Sequence, residues 1–341
     1  MKKLFLLLPL VFVVLASGCT DFCLPGMDCT TIDKATADVF VFQKIDTFPA
    51  TVSPGQTVRV VAYVKNNLES IKIIDEINMY DSCEGAFTID SITCGGYERP
   101  EDEFGKQKCE EIPVYGKQVI PITWTLVASP GIKIQTTCKP KIKLDYIEST
   151  QSLTSITFVT SDELRRRLQE GLTESVDSEI EIGPGPIRIY FEVEDQQPIT
   201  TDAGQAIVSL NIKNEGSGYL EKSEIRMDTI NVFAGASEAE NEKEGINKKI
   251  TESLEYCRDG KDEDGKALWG LTEGDEVNQE DRVIEIIGKQ NIKLMCTINI
   301  PEKLENEQKP ESRLYLSVIL SEYDYEIRGE TTITVEPRII K

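Results

Sequence analysis

The sequence predicts an all-β protein built as two tandem β-sandwiches joined by a short helical linker. Three observations predict it. Short runs of alternating apolar and polar residues recur, bounded by Gly, Pro, Asn and Asp, as half-buried antiparallel strands require. One strand-turn-strand pattern occurs twice in the same order. Eight cysteines follow Cys19, an even set suited to bracing small β-domains with disulfides.

The N-terminus sets the compartment. Lys2 and Lys3 precede the apolar run Leu4 to Ser17, which is shorter than the roughly 20 residues a spanning helix needs. A positive start, a short apolar core and small residues at its end predict a secretory signal peptide over residues 1–18. The block Leu15-Ala16-Ser17-Gly18-Cys19 resembles a prokaryotic lipobox. That resemblance implies cleavage before Cys19 and a lipid on its thiol, with residues 19–37 as the lipidated tether. A plain secretory signal with an incidental cysteine, or an uncleaved anchor, is the alternative.

The first sandwich is expected over residues 38–160. Asp38 to Phe42 alternates, Ser53-Pro54-Gly55-Gln56 turns, and Thr57 to Asn67 forms a period-2 strand. Val119 to Val127 and Lys141 to Ile147 are further core strands, with Trp124 facing inward. Residues 161–186 are the expected linker: Ser161 caps a helix whose Leu164 and Leu168 share a face, and Gly183-Pro184-Gly185-Pro186 ends it. The second sandwich, 187–341, repeats the opening. Pro186 to Val193 precedes Ala203-Gly204-Gln205, followed by Ala206 to Gly216. Arg282 to Ile287, Ile292 to Ile300 and Leu314 to Ser321 complete its core. Both halves close on Lys-Asn (Lys65-Asn66 and Lys213-Asn214), and Tyr146 before Ile156 to Val159 matches Tyr325 before Ile333 to Val335.

These openings resemble immunoglobulin-like modules of the cell-adhesion-related (CARDB-like) kind, which recur in prokaryotic, especially archaeal, surface proteins. Asn214-Glu215-Gly216 keeps the N-x-G of that pattern, whereas Asn66-Asn67-Leu68 lacks the glycine. The resemblance implies two immunoglobulin-like β-sandwiches and a surface role, and no substrate.

Spacing cannot fix the disulfide pattern, since eight cysteines allow 105 connectivities. Respecting the domain limits gives Cys23 with Cys29, Cys257 with Cys296, and two bridges among Cys83, Cys94, Cys109 and Cys138. Within that group Cys94–Cys109 closes one long loop and Cys83–Cys138 joins distant strands. A zinc site is disfavoured by the lack of any C-x-x-C and of histidine.

Composition excludes several functions. Among 341 residues there are 59 acids, 37 bases and no histidine, a net charge of -22. Such a surface repels nucleic acid, so no nucleic-acid partner is expected. Without histidine there is no Ser-His-Asp or Cys-His catalysis and no histidine-ligated metal. The Walker, G-x-S-x-G and dinucleotide motifs are missing as well. One loop offers metal chemistry: Cys257-Arg258-Asp259-Gly260-Lys261-Asp262-Glu263-Asp264-Gly265 resembles calcium-binding loops of surface proteins. The resemblance implies Asp259, Asp262 and Asp264 as oxygen ligands, although Leu271 stands where an EF-type loop needs glutamate. The alternative is a solvated acidic hairpin tip. No cofactor is expected otherwise.

The expected function is a non-catalytic, membrane-anchored surface lipoprotein on the extracytoplasmic face of the cell membrane. It would act in adhesion, in envelope scaffolding or as the accessory subunit of a surface assembly. Its partners would be the membrane, through the lipid anchor, and a surface protein or glycan met by the long loops at 83–115 and 235–280. The alternative is a carboxylate-dependent, calcium-assisted polysaccharide-active enzyme.

Overall fold

Alternation of buried and exposed residues organises nearly every element. The computed structural model describes residues 37–95, 97–99, 108–172, 176, 178–226, 229–236, 283–299 and 310–337. The first ten strands are β1 (Phe40–Phe48), β2 (Thr51–Val52), β3 (Thr57–Asn66), β4 (Lys72–Asp81), β5 (Phe87–Cys94), β6 (Tyr97–Arg99), β7 (Lys108–Val114), β8 (Val119–Ala128), β9 (Thr136–Cys138) and β10 (Lys141–Val159). The helix α1 (Ser161–Gln169) follows, then β11 (Ile180–Ile182), β12 (Ile187–Val193), β13 (Ile199–Thr200), β14 (Gln205–Asn214) and β15 (Tyr219–Leu220). The chain continues through β16 (Glu224–Arg226), β17 (Ile230–Ala236), β18 (Val283–Glu285), β19 (Asn291–Asn299), β20 (Glu311–Glu330) and β21 (Ile333–Val335). Among the described residues no helix is long and apolar enough to cross a membrane.

The all-β class is therefore borne out. One sheet runs β1-β3-β8-β5-β6, and a second, shorter one runs β12-β14-β19. Both pack against an eight-stranded sheet whose main path is β15-β20-β10-β4-β7. Every second residue of β3 and β8 is buried, and Trp124 on β8 is fully enclosed as expected. Two such faces closing over a shared apolar layer is the sandwich arrangement. The described residues belong to one compact body, Lys34–Lys341. Its seam is the antiparallel pairing of β10 with β20, in register from Lys141↔Glu330 to Val159↔Glu311 with one bulge at Glu148/Thr150.

The internal repeat is visible in the topology. β1-β3-β8 and β12-β14-β19 are the same antiparallel order, built from corresponding stretches of sequence. The closing asparagines act alike. Asn66 donates to the Ser70 and Val114 carbonyls at 2.8 and 3.0 Å and accepts from Leu68 N at 2.9 Å. Asn214 donates to the Gly218 carbonyl at 3.0 Å and accepts from Gly216 N at 3.1 Å. Each is a buried Asx turn that satisfies backbone groups where the strand ends. The matched tyrosines, Tyr146 and Tyr325, are register partners across the seam with ring centroids 5.6 Å apart.

Here the repeats part. Tyr325 Oη donates to Asn214 Oδ1 at 2.9 Å and accepts from Gly218 N at 3.0 Å. A Cβ on Gly216 would lie 2.4 Å from that hydroxyl, so the glycine of N-x-G is a clearance requirement. In the first repeat Leu68 takes that place and is buried, and the Tyr146 hydroxyl makes no corresponding bond to Asn66. The matched ends differ too: Ile156 to Val159 continue β10, whereas Ile333 to Val335 form β21, parallel to β2 and antiparallel to β9.

The expected Ser161 cap is corrected. Thr160 is the cap residue; it is extended, and its hydroxyl accepts from Glu163 N at 3.3 Å, while Ser161 donates to Asp202 at 2.6 Å. Leu168 is exposed and Leu164 only half-buried. The inward group is Glu163, held by Arg166 and Arg167 at 2.8 Å. Arg167 also reaches Glu311 at 2.6 Å, and β11 pairs with β10, so the stretch after Val159 lies packed along the shared sheet.

Candidate functional site

Cys83, Cys94, Cys109 and Cys138 form the two bridges expected among them. Cys94 on β5 joins Cys109 on β7, tying two sheets together, and Cys83 after β4 joins Cys138 on β9. Cys296 on β19 is disulfide-bonded as well; its expected partner Cys257 lies outside the described residues. Cys19, Cys23, Cys29 and the three loop carboxylates Asp259, Asp262 and Asp264 also lie outside them. Among the described residues no group of three Cys, Asp or Glu side chains is placed to hold a metal ion. Of the two loops expected to bind partners, residues 96, 100–107 and 237–282 lie outside the description.

The structure brings together a set of side chains that the sequence reading did not single out. On the outer face of the eight-stranded sheet, Glu110, Glu76, Asp145 and Glu326 are consecutive register partners across β7, β4, β10 and β20. Two residues along, Lys108, Asn78, Lys143 and Arg328 form the neighbouring row. Carboxylates directly opposite one another repel, and the basic row offsets this. Lys108 bonds Glu76 at 2.8 Å and also contacts Glu110; Lys143 bonds Asp145 at 2.8 Å and lies 3.8 Å from Glu326. Arg328 pairs with Glu326 and lies over the rings of Tyr80 and Tyr219, 5.8 and 5.5 Å from their centroids.

The environments push neighbouring acids apart. Burial raises Asp145, and the nearby Glu326 and Glu76 charges add to that, against the pull of Lys143. Burial also pushes on Glu76, but hydrogen bonds from Lys108 and Asn78 hold it below the usual carboxylate range. Opposed shifts in paired carboxylates are a pattern of acid-base sites. The cleft they share, lined by Asp75, Glu76, Lys143, Asp145, Glu221 and Asp324 together with Tyr146 and Tyr325, has a volume of about 190 Å³. Small-molecule pockets occupy about 300–1,000 Å³ and are mostly apolar, so this cleft is smaller and more polar than such pockets. A second hollow of about 400 Å³ among Asp75, Glu76, Glu110 and Glu111 continues the acidic edge. A separate groove of about 500 Å³ near α1 has a mixed lining, with Leu164, Pro198 and Ile207 beside Asp195, Gln196 and Gln205.

No family model matches the chain, and no curated protein matches it. Among solved structures, the crystal structure of collagen adhesin from S. aureus is similar at 10% identity, covering 89% of this chain and 96% of that one, with a TM-score of 0.13. At that score the superposition supports no argument about fold or role. The all-β class rests on the strands and registers described above.

Proposed function

We infer that the protein is a non-catalytic surface lipoprotein, anchored to the extracytoplasmic face of the membrane through Cys19 and acting in adhesion or as a scaffold subunit. The observation that carries this reading is the pair of disulfides within the β-body, Cys83–Cys138 and Cys94–Cys109, since stable bridges belong to oxidising compartments. The lipobox-like block at Leu15 to Cys19 supports the anchor. The outer sheet face supports a binding role: its charged rows sit on paired strands, where side chains are held in fixed register, and its rim carries half-exposed Tyr80 and Tyr219. Partners of this reading are the membrane and a surface protein or glycan. Calcium at Asp259, Asp262 and Asp264 is a secondary proposal, tested by calorimetric titration of the intact chain with calcium.

Intact-mass analysis of protein extracted from membranes tests the main reading. The expected result is a chain beginning at Cys19 with a lipid-sized mass increment, no free thiols before reduction, and release to the soluble fraction when Cys19→Ser is made. An unlipidated chain with free thiols at Cys83, Cys94, Cys109 and Cys138 would sink it.

A further inference from the structure

The two repeats meet as a two-fold pair inside one chain. Tyr146 and Tyr325 are the matched tyrosines of the two sequences and are also register partners in the antiparallel pairing of β10 with β20. Corresponding residues placed opposite one another on antiparallel strands define a local two-fold axis at that point. A contact of this kind is reciprocal: what the first partner gives the second, the second gives the first.

The short strands obey that rule. β2 begins six residues before β3, and β13 begins six residues before β14, so the two are counterparts in the repeat. Each takes its parallel partner from the other repeat. β2 pairs with β21, at the end of the second repeat, through Thr51↔Thr334 and Val52↔Val335. β13 pairs with the end of β10, the last strand of the first repeat, through Phe158↔Ile199 and Val159↔Thr200. Hydrogen bonds fix both joints. Thr334 N donates to the Ala50 carbonyl at 3.0 Å and Glu336 N to the Val52 carbonyl at 2.8 Å, while Thr157 N donates to Gln197 Oε1 at 2.7 Å. Val52, Phe158, Val159, Ile199, Ile333 and Val335 are all buried. On its other side β21 is held by β9, where Ile333 faces Cys138, the residue bridged to Cys83.

Tandem domains ordinarily have cores of their own and could fold alone. Strand ends exchanged in both directions remove that independence. Unfolding the second repeat withdraws β21 from between β2 and β9, and unfolding the first withdraws Phe158 and Val159 from β13. We propose that the exchanged ends are reciprocal straps: each sandwich is closed by the terminal strand of the other, so the two repeats open only together. A partner bound to either half therefore stabilises both.

Urea unfolding of the full chain tests this. The sequence has two tryptophans, and Trp269→Phe leaves Trp124, on β8 of the first repeat, as the only fluorescent indole. In that background Thr334→Pro removes the N–H bonded to Ala50 and breaks the β21 strap, while the registers of β10 with β20 are left intact. Gln197→Ala removes the acceptor of Thr157 N at the other strap. Both substitutions lie in the second repeat, and both should lower the Trp124 midpoint, with emission and far-ultraviolet circular dichroism following one transition. An unmoved Trp124 midpoint, or a Trp124 transition separate from that of the circular dichroism, would overturn the proposal. Should Thr334→Pro fail to fold, native-state hydrogen exchange of the wild type gives the second readout. The slowest amides of β3 and β14 should share one opening free energy, and two distinct values would equally overturn it.

Discussion

Opening the two described disulfides should destabilise the protein in an order set by the chain they enclose. Cys83–Cys138 spans a sequence separation of 55, and Cys94–Cys109 spans 15. If cross-links act mainly on the entropy of the unfolded chain, these loops correspond to about 4 and about 3 kcal/mol respectively. The bridges are nested, since Cys94 and Cys109 both lie between Cys83 and Cys138. The closed inner loop shortens the outer one, which lowers the outer value only slightly because the dependence on length is logarithmic. Cys83→Ala with Cys138→Ala, and Cys94→Ala with Cys109→Ala, would be compared with the wild type by urea unfolding under non-reducing conditions, followed by far-ultraviolet circular dichroism. Both double variants should lose stability, the outer pair by more. A clear reversal, with the inner pair costing more, would refute the entropic argument. It would mean that the tie between the two sheets at buried Cys109 stabilises the native state directly.

Removing either closing asparagine should be costly: Asn66→Ala strands two carbonyls and one amide, a loss of about 3 kcal/mol or more, and Asn214→Ala should behave similarly; chemical denaturation measures both. Trp124→Ala empties a fully buried position and should cost about 3–5 kcal/mol in the same assay. Glu163 is held at about 2 by hydrogen bonds from Arg166 and Arg167, below its ordinary 4.5. Its contribution is therefore present above pH 4.5 and lost as pH falls toward 2, and Glu163→Gln should flatten the melting profile over that window. Asp145 has the opposite sign. Its folded carboxyl is raised from 3.8, so its favourable contribution exists below that pH and is lost as pH rises. Asp145→Asn should reduce the decline in melting temperature from pH 4 upward, and an unchanged profile would contradict the assignment.

The strands that carried an unbroken apolar alternation were legible in the sequence. Thr57–Asn66, Val119–Ala128 and Ile187–Val193 fall within a residue or so of their expected spans. β10 was expected to stop at Ile147 and instead runs to Val159, because the inward residues from Glu148 to Thr154 are polar and erase the pattern that marks a buried face. β4 hid for a related reason: Asp75 and Glu76 both face outward, breaking its period. Disulfides within the first repeat followed from domain limits and loop closure. The rows of Glu110, Glu76, Asp145 and Glu326 had no linear signal at all, since they exist only through registers between distant strands.

The shared seam also governs the order of assembly. Thr150 and Tyr323, bonded to each other in the finished protein, are 173 residues apart in sequence. A chain emerging N-terminus first presents β10 with one edge open long before β20 exists to cover it, and non-local pairing of this kind slows folding. The disulfides of the first repeat lie entirely on the early side of that interval, so oxidation can fix its two sheets while β10 still waits. The charged outer face of β10, with Lys141, Lys143 and Asp145, discourages a second chain from pairing with the open edge in the meantime.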